Sequence, residues 1–576
     1  MYLDKPVKIP VSVKGISRKK IKGVTYIYYT YGRKYCKEKQ YSVPQCTSIG
    51  KCVESNPEMM YPNANYQKFF SETEIEENTE PPERSSCLRI GGFLVIRKII
   101  TEYQLDEIAE KVIGKDWGLF LDFACYAILT ENNAGQYYPE YAYHHPLFTQ
   151  DMRVYSDTKI SKFLSSITDD QSQTFLNEWN ERMDHRERIY ISYDSTNKHC
   201  QAGEIELAEF GYEKEKQGKP IFNYAVAYDR NNRVPLFYEA YPGSINDVSQ
   251  LQYMLEKAKA YGYKWIGFIL DRGYFSEANI HYMDQCGYAF IIMVKGAKSF
   301  VNQLILEKFG TFEQDRTNSI REYKVSGITV QRKLFPSDQK ERYIHLFFSE
   351  RKRTAEREEI ESKIDDMVAF LKKQEGKKVK LGESFQKYFN LIYYHEGQED
   401  EKFLRAFEKT DVINREIQLC GYYAIITSEK MTAQKALDLY KSRDSSEKLF
   451  RGDKSYLGNS AARVHSSESI RAKIFVEFVA LIIRNRIYTY LKDEMYRNHK
   501  KLNYMTVPAA LRELEKIELI KLPDGIYRLD YALTATQKAI LNAFGLSPSN
   551  VRDQAQEICT ELIQVARSSC SESDSV

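Results

Sequence analysis

The chain has 576 residues, 43% hydrophobic and 13% aromatic, including 44 Tyr and 29 Phe. That is too long for one core and too apolar for a disordered chain, so two to four domains are expected. The net charge of +3, from 83 basic against 80 acidic residues, does not by itself imply a polyanionic partner.

The charge is unevenly spread: residues 1–70 hold 13 Lys/Arg against 4 Asp/Glu. A basic arm on a near-neutral body marks either a nucleic-acid partner or a lysine-rich solvated surface. The arm reads as a β-rich domain, since Val24-Thr-Tyr-Ile-Tyr-Tyr-Thr-Tyr31 is β-branched and aromatic and Gly32-Arg33-Lys34 turns it. Lys19, Lys20, Arg33 and Lys34 either touch DNA non-specifically or solvate the surface. Residues 71–86 are acidic around Pro81-Pro82 and read as a linker. Residues 87–185 read as a helical domain, in which His144-His145 lack a third ligand for a metal.

From 186 to 295 the texture is that of a sheet. Ile189-Tyr-Ile-Ser-Tyr-Asp194 is a strand ending in an acid, and Ile221 to Tyr228 and Val234 to Ala240 are two more. A helix capped near Asn246 or Asp247 runs to about Tyr261, and Trp265-Ile-Gly-Phe-Ile-Leu-Asp271 is a buried strand that again ends in an acid. A helix near 275–286 and a strand from Tyr288 to Val294 follow. Asp229 reads as a turn former, and His199 as a surface residue or, close to Asp194 in sequence, a DNA contact. Residues 296–430 break the rhythm and read as an insertion containing a charged helix from about Glu350. Residues 431–495 return to the core, with one helix starting near Thr432 and another from Ser467 to about Glu494; residues 496–576 form a C-terminal helical region with a hairpin.

The ten Cys are scattered without a C-x-x-C, which suggests reduced thiols and no zinc site. The longest apolar stretch, Ile474 to Ile483, is broken by Glu477 and is too short to span a bilayer. With no secretory leader, the chain reads as cytoplasmic, with no membrane partner.

The chemistry concentrates in Tyr440, Arg443, Glu447 and Lys454, spaced Y-x2-R-x3-E-x6-K. On a continuous helix these four fall within ~60° of Tyr440 and share one face. Two strand-end acids followed by a helix-borne acid suit an RNase H-like sheet, where sites gather at the carboxyl ends of strands. Three carboxylates there can hold two Mg²⁺, a hard ion that prefers oxygen.

The sequence resembles DDE transposases of the IS4 superfamily, nearest to the IS1634 group. The resemblance rests on Tyr193-Asp194-Ser195-Thr196, Gly211-Tyr-Glu-Lys214, Arg233 to Asp247, Leu270-Asp271-Arg272-Gly273-Tyr274-Phe275, and the Tyr440, Arg443, Glu447, Lys454 signature. It covers about 190–295 and 420–490. It implies an α/β fold: an RNase H-like mixed sheet flanked by helices, interrupted by a large α+β insertion where the superfamily's is mostly β, with N-terminal β-rich and helical DNA-binding regions. It further implies Asp194, Asp271 and Glu447 as catalytic metal ligands for two Mg²⁺, with Mn²⁺ as a substitute. Tyr440, Arg443 and Lys454 would hold phosphates. The implied partners are double-stranded DNA, as terminal inverted repeats and target, and a second copy of the chain in the synaptic complex. The setting would be a bacterial or archaeal nucleoid. Some members pass through a DNA hairpin using an aromatic of the insertion; the three Trp here, Trp117, Trp179 and Trp265, all lie outside it, so that step is not carried over. The same acids also fit a transposase-derived DNA-end-binding protein, or an RNase H-like nuclease without strand transfer.

Overall fold

The computed structural model describes residues 7–11, 13–21, 24–36, 41–53, 56–70, 84–183, 188–200, 205–211, 218–245, 247–294, 299–394, 401–443, 452, 457, 461–464, 466–499 and 502–573. The chain forms two compact units, Met1–Pro81 and Pro82–Val576.

The N-terminal unit is a five-stranded antiparallel sheet made by Val7–Lys8, Ile16–Ile21, Val24–Cys36, Tyr41–Val53 and Asn56–Pro62. Period-two alternation sends Ile16, Ile27 and Tyr29 to one face, where they pack with Ile9, Ile49, Met60 and Tyr66. Tyr66 comes from the short helix Ala64–Phe69, whose cap Asn63 accepts hydrogen bonds from the Asn65 and Tyr66 N–H groups.

The second unit is built on a mixed sheet. Its principal strands are β1 (Ile189–Cys200), β2 (Ile221–Asp229), β3 (Val234–Pro242), β4 (Ile266–Leu270), β5 (Ala289–Met293), β6 (Val325–Arg332), β7 (Arg342–Phe348) and β8 (Tyr422–Thr427). They lie in the order β3-β2-β1-β4-β5-β8-β7-β6. β1, β2 and β3 are antiparallel, while β1, β4 and β5 run parallel. This 3-2-1-4-5 order with the first strand in the middle is RNase H-like. β4 explains its own place: Ile266, Phe268, Ile269 and Leu270 are all buried, as a parallel strand covered on both faces requires. Each such side chain contributes ~1.5–3 kcal/mol on burial.

The stretch expected as an insertion divides in two. β6, β7 and β8 continue the central sheet through antiparallel pairing of β8 with β5. Between β7 and β8, residues 350–419 carry a separate small core of Ile364, Met367, Leu371, Phe389 and Phe403 around the charged helix Glu350–Gln374. The region is therefore α+β, as expected from the sequence.

Helix α1 (Ala433–Lys441) packs on β5 to β8, and helix α2 (Ser467–Arg497) packs on β3 and on the helices Trp117–Thr130 and Asp157–Ser166. α2 is 31 residues long, ~46 Å at 1.5 Å per residue, and is buried on nearly every side from Ile470 to Ile487. The C-terminal hairpin of Glu518–Lys521 and Tyr527–Leu529 takes Cys87–Arg89 as its third strand. Among the described residues no helix is long and apolar enough to cross a membrane.

Candidate active site

β1 and β4 pair in parallel from Ile189 with Ile266 to Tyr193 with Leu270. The next residue on each chain is an aspartate, Asp194 and Asp271. Two neighbouring strands ~4.8 Å apart therefore deliver their acids at the same level of the sheet. β4 stops there. β1 runs on to Cys200 beside β2, and the short strand Ala461–Ala462 takes up its other edge at His199. The sheet is thus split at the carboxyl end of β4, where open α/β sheets keep their sites.

Asp271 has extended backbone and precedes a 3₁₀ turn, Arg272–Tyr274, without its side chain capping that turn. Its carbonyl accepts from the Tyr274 N–H at 3.0 Å. The Tyr274 ring is buried against Tyr193, with centroids 5.4 Å apart, so the residues flanking the two acids brace one another. The Asp271 carboxylate meets the Arg443 guanidinium at 3.2 Å; the side chains are 34% and 13% exposed.

Helix α1 sets that guanidinium. Thr432 caps it by accepting from the Lys435 N–H, and Ala433, Ala436, Leu437 and Tyr440 form its buried stripe. Tyr440 lies in a core cluster with Ile269, Ile291 and Ile425. The Arg443 guanidinium sits 5.7 Å from the Tyr440 ring centroid. The helix expected to run from Tyr440 through Lys454 does not do so. It ends at Lys441, Ser442 donates its hydroxyl back to the Leu439 carbonyl, and the Arg443 N–H bonds the Tyr440 carbonyl in a turn. A serine hydroxyl that binds backbone locally competes with helical pairing. Arg443 therefore reaches Asp271 from a turn rather than from a helix face.

The structure brings together Asp271, Arg443 and Tyr440 and sets the Asp194 backbone beside Asp271. The Asp194 carboxylate, Glu447 and Lys454 lie outside the described residues. Gly452 does not: a Cβ there would stand 2.4 Å from Arg484 Nη1, so this point of the chain is tight against α2. Among the described residues no group of three His, Cys, Asp or Glu is placed to hold a metal. A strand-end carboxylate that is not spent on a cap, and is already matched with a cation, suits divalent-ion binding in its donor chemistry.

His199 is buried, 7% exposed, and not on the surface. The end of β1 is covered by α2, and its polar side chains go inside. Lys198 forms an ion pair with Glu477 of α2 at 2.9 Å, with side chains 1% and 6% exposed. The Lys198 ammonium also lies 4.2 Å from the Tyr224 ring centroid. Lys473, one turn before Glu477, is buried too; burial pushes it down to about 8 against the pull of Glu477. Sequence reasoning missed this cluster, although Glu477 inside an apolar helix was a signal for it. Gly211 and Gly243 close the same end of the sheet. A Cβ on Gly211 would meet the Gly243 carbonyl at 1.8 Å, and one on Gly243 would meet the Ile221 carbonyl at 2.3 Å. His145 is a structural residue, with Nε2 2.7 Å from Glu515 and Nδ1 2.8 Å from the Tyr141 carbonyl. Asp229 accepts from the Asn231 N–H at 2.8 Å in the β2–β3 turn.

A family profile described as a transposase DDE domain matches residues 188–483, just over half of the chain. The chain belongs to the DDE transposase family. Enzymes of this family carry out transposition and depend on divalent metal. Among solved structures, a piggyBac transposase synaptic complex with hairpin DNA is similar at 8% identity and a TM-score of 0.30, covering 69% of this chain. The match spans 62% of that structure's own chain, less than two thirds. No curated protein sequence matches.

Proposed function

We propose that this transposase works by cut and paste: it binds its element's terminal inverted repeats as double-stranded DNA, cleaves at their ends, and joins the freed 3′-hydroxyl to target DNA. The observation that supports this most is that 194 and 271 each directly follow the last paired residues of the two strands, Tyr193 and Leu270, at the split of the sheet, with Arg443 against Asp271. The wider likeness to the IS4 superfamily and its IS1634 group, on the Tyr440, Arg443, Glu447 and Lys454 spacing, points the same way.

In this reading Asp194, Asp271 and Glu447 hold two Mg²⁺, or Mn²⁺ in their place. Such a pair of ions, when bound, supplies an activated water or hydroxyl and steadies the leaving oxygen. Arg443 balances the Asp271 charge before DNA arrives, and its fork of N–H donors suits phosphate oxygens afterwards. The buried Tyr440 ring beneath it limits where the guanidinium can swing. Lys454 adds a second cation for the phosphate. Pairing of two element ends calls for two copies of the chain.

The test is linear DNA carrying the flanking inverted repeats, incubated with the protein and Mg²⁺, followed by mapping of the ends and recovery of joined products from a target plasmid. Cuts at the repeat ends with joined 3′ strands are expected. Random nicking without joining would sink the transposition reading and leave a nuclease.

A further inference from the structure

The catalytic reading makes no use of the unit Met1–Pro81, yet one face of its sheet has a definite chemistry. Lys19 stands opposite Tyr26, Tyr26 opposite Lys51, and Lys51 opposite Tyr61. Directly opposed residues share a face. A Lys-Tyr-Lys-Tyr row therefore crosses four adjacent strands, on the side away from Ile16, Ile27 and Tyr29. At ~4.8 Å per strand the row is ~14 Å long and its two lysines start ~10 Å apart. Beside it, Tyr28 stands opposite Ser17 and Ser48. Lys19 is exposed, and Tyr26, Tyr28, Lys51 and Tyr61 are half-buried. On the edge strand Ile16–Ile21, Arg18 and Lys20 are exposed but stand opposite Ile27 and Thr25, so they belong to the other face and not to this row. Residues 1–70 hold 13 Lys and Arg against 4 Asp and Glu.

We propose that this face docks the phosphate backbone of double-stranded DNA. The choice of DNA as the polyanion rests on the transposase reading; the choice of face does not. Charge complementarity selects a polyanion. The Lys19 ammonium lies over the Tyr28 ring, 4.8 Å from its centroid, and so covers an aromatic surface that base stacking would need. Lysines joined by tyrosine hydroxyls suit phosphate oxygens, which fix position without reading sequence.

The experiment is fluorescence anisotropy of the full chain with a random-sequence duplex in EDTA, across a salt series, for wild type and a Lys19→Gln/Lys51→Gln variant. Each phosphate contact contributes about 0.9 to the slope of log K against log salt, so the variant slope is expected to be shallower by about 1.8. Lys19→Gln alone, at an exposed edge position, should show about half that change and guards against misfolding of the double variant. Unchanged affinity and slope in the folded single and double variants would overturn the proposal. So would a loss confined to single-stranded DNA, which would make the face a stacking platform instead. Because EDTA removes cleavage from the measurement, failure here is separate from failure of the catalytic reading, which the Mg²⁺ assay on repeat ends reports.

Discussion

Arg443 holds Asp271: its Nη1 stands 3.2 Å from Oδ1, joining the turn after α1 to the end of β4. The two residues are far apart in sequence, and the contact is partly exposed, so its worth to folding is ~1 kcal/mol or less. In the proposed function its worth to phosphate chemistry is larger. Arg443→Ala is expected to leave the urea midpoint nearly unchanged while strand cleavage falls by about 10²-fold or more, the usual cost of one donor aimed at a reacting group. Loss of cleavage only in step with lost stability would refute this role.

Asp271→Ala removes the carboxylate from the same pair. Mg²⁺-dependent and Mn²⁺-dependent cleavage should both disappear, while gel shifts with repeat-end DNA persist. Undiminished cleavage in this variant would end the three-carboxylate proposal.

Glu477 is the counter-charge for buried Lys198 and lies beside buried Lys473. Glu477→Ala should destabilise the second unit by about 3–5 kcal/mol, because it leaves an uncompensated charge inside. Adding Lys198→Met should recover part of that loss. Chemical denaturation of the single and double variants measures the difference, and a single-variant loss under about 1 kcal/mol would contradict it.

His345 predicts an acid limb. It is fully buried in β7, with Nε2 2.9 Å from the Thr427 hydroxyl and Nδ1 2.9 Å from that of Thr329. Thr427 donates its own proton to the Glu429 carbonyl at 2.7 Å, so Nε2 must donate to Thr427 and Nδ1 must accept from Thr329. The ring is neutral, and burial pushes it down from 6.5 to about 4. A lowered folded value means stability that is present above pH 6.5 and lost as pH falls through about 4. The amount is on the order of 3 kcal/mol. His345→Gln should flatten the stability profile between those limits; an unaltered profile would show that other groups carry it.

Gly211→Ala and Gly243→Ala should each cost about 1–3 kcal/mol, since the new methyl has nowhere to go beside the facing carbonyl. Thermal melts of the two variants check this, and wild-type stability in either would show that the two segments can part.

Much of this architecture could be read from residues alone, for identifiable reasons. The run Ile266 to Leu270 announces a strand buried on both faces, and its abrupt end at Asp271 marks the candidate site, although Trp265 before it, expected as part of that strand, is exposed. Thr432 and the Ala433, Ala436, Leu437, Tyr440 spacing announce α1. What could not be read depends on distant partners or on single local bonds. The bond of Ser442 to Leu439 ends the helix early, and helical stepping past Lys441 then gives the wrong placement for Arg443. The polar residues at the end of β1 look solvated until α2 covers them, which is why His199 was expected outside. Glu477 looked like a mere interruption of an apolar helix because its partner, Lys198, belongs to another strand.

The short strand Cys87–Arg89 has a further consequence. Its partner, Glu518 to Ile520, belongs to the hairpin near the other end of that unit's sequence. While a ribosome is still making α2, Leu88 has no neighbour to bond with, and the helical layer stays unlatched. Joining segments so remote carries a large loop-closure cost and slows the final folding step. Nascent chains should therefore resist protease at this seam only after Leu529 has left the exit tunnel.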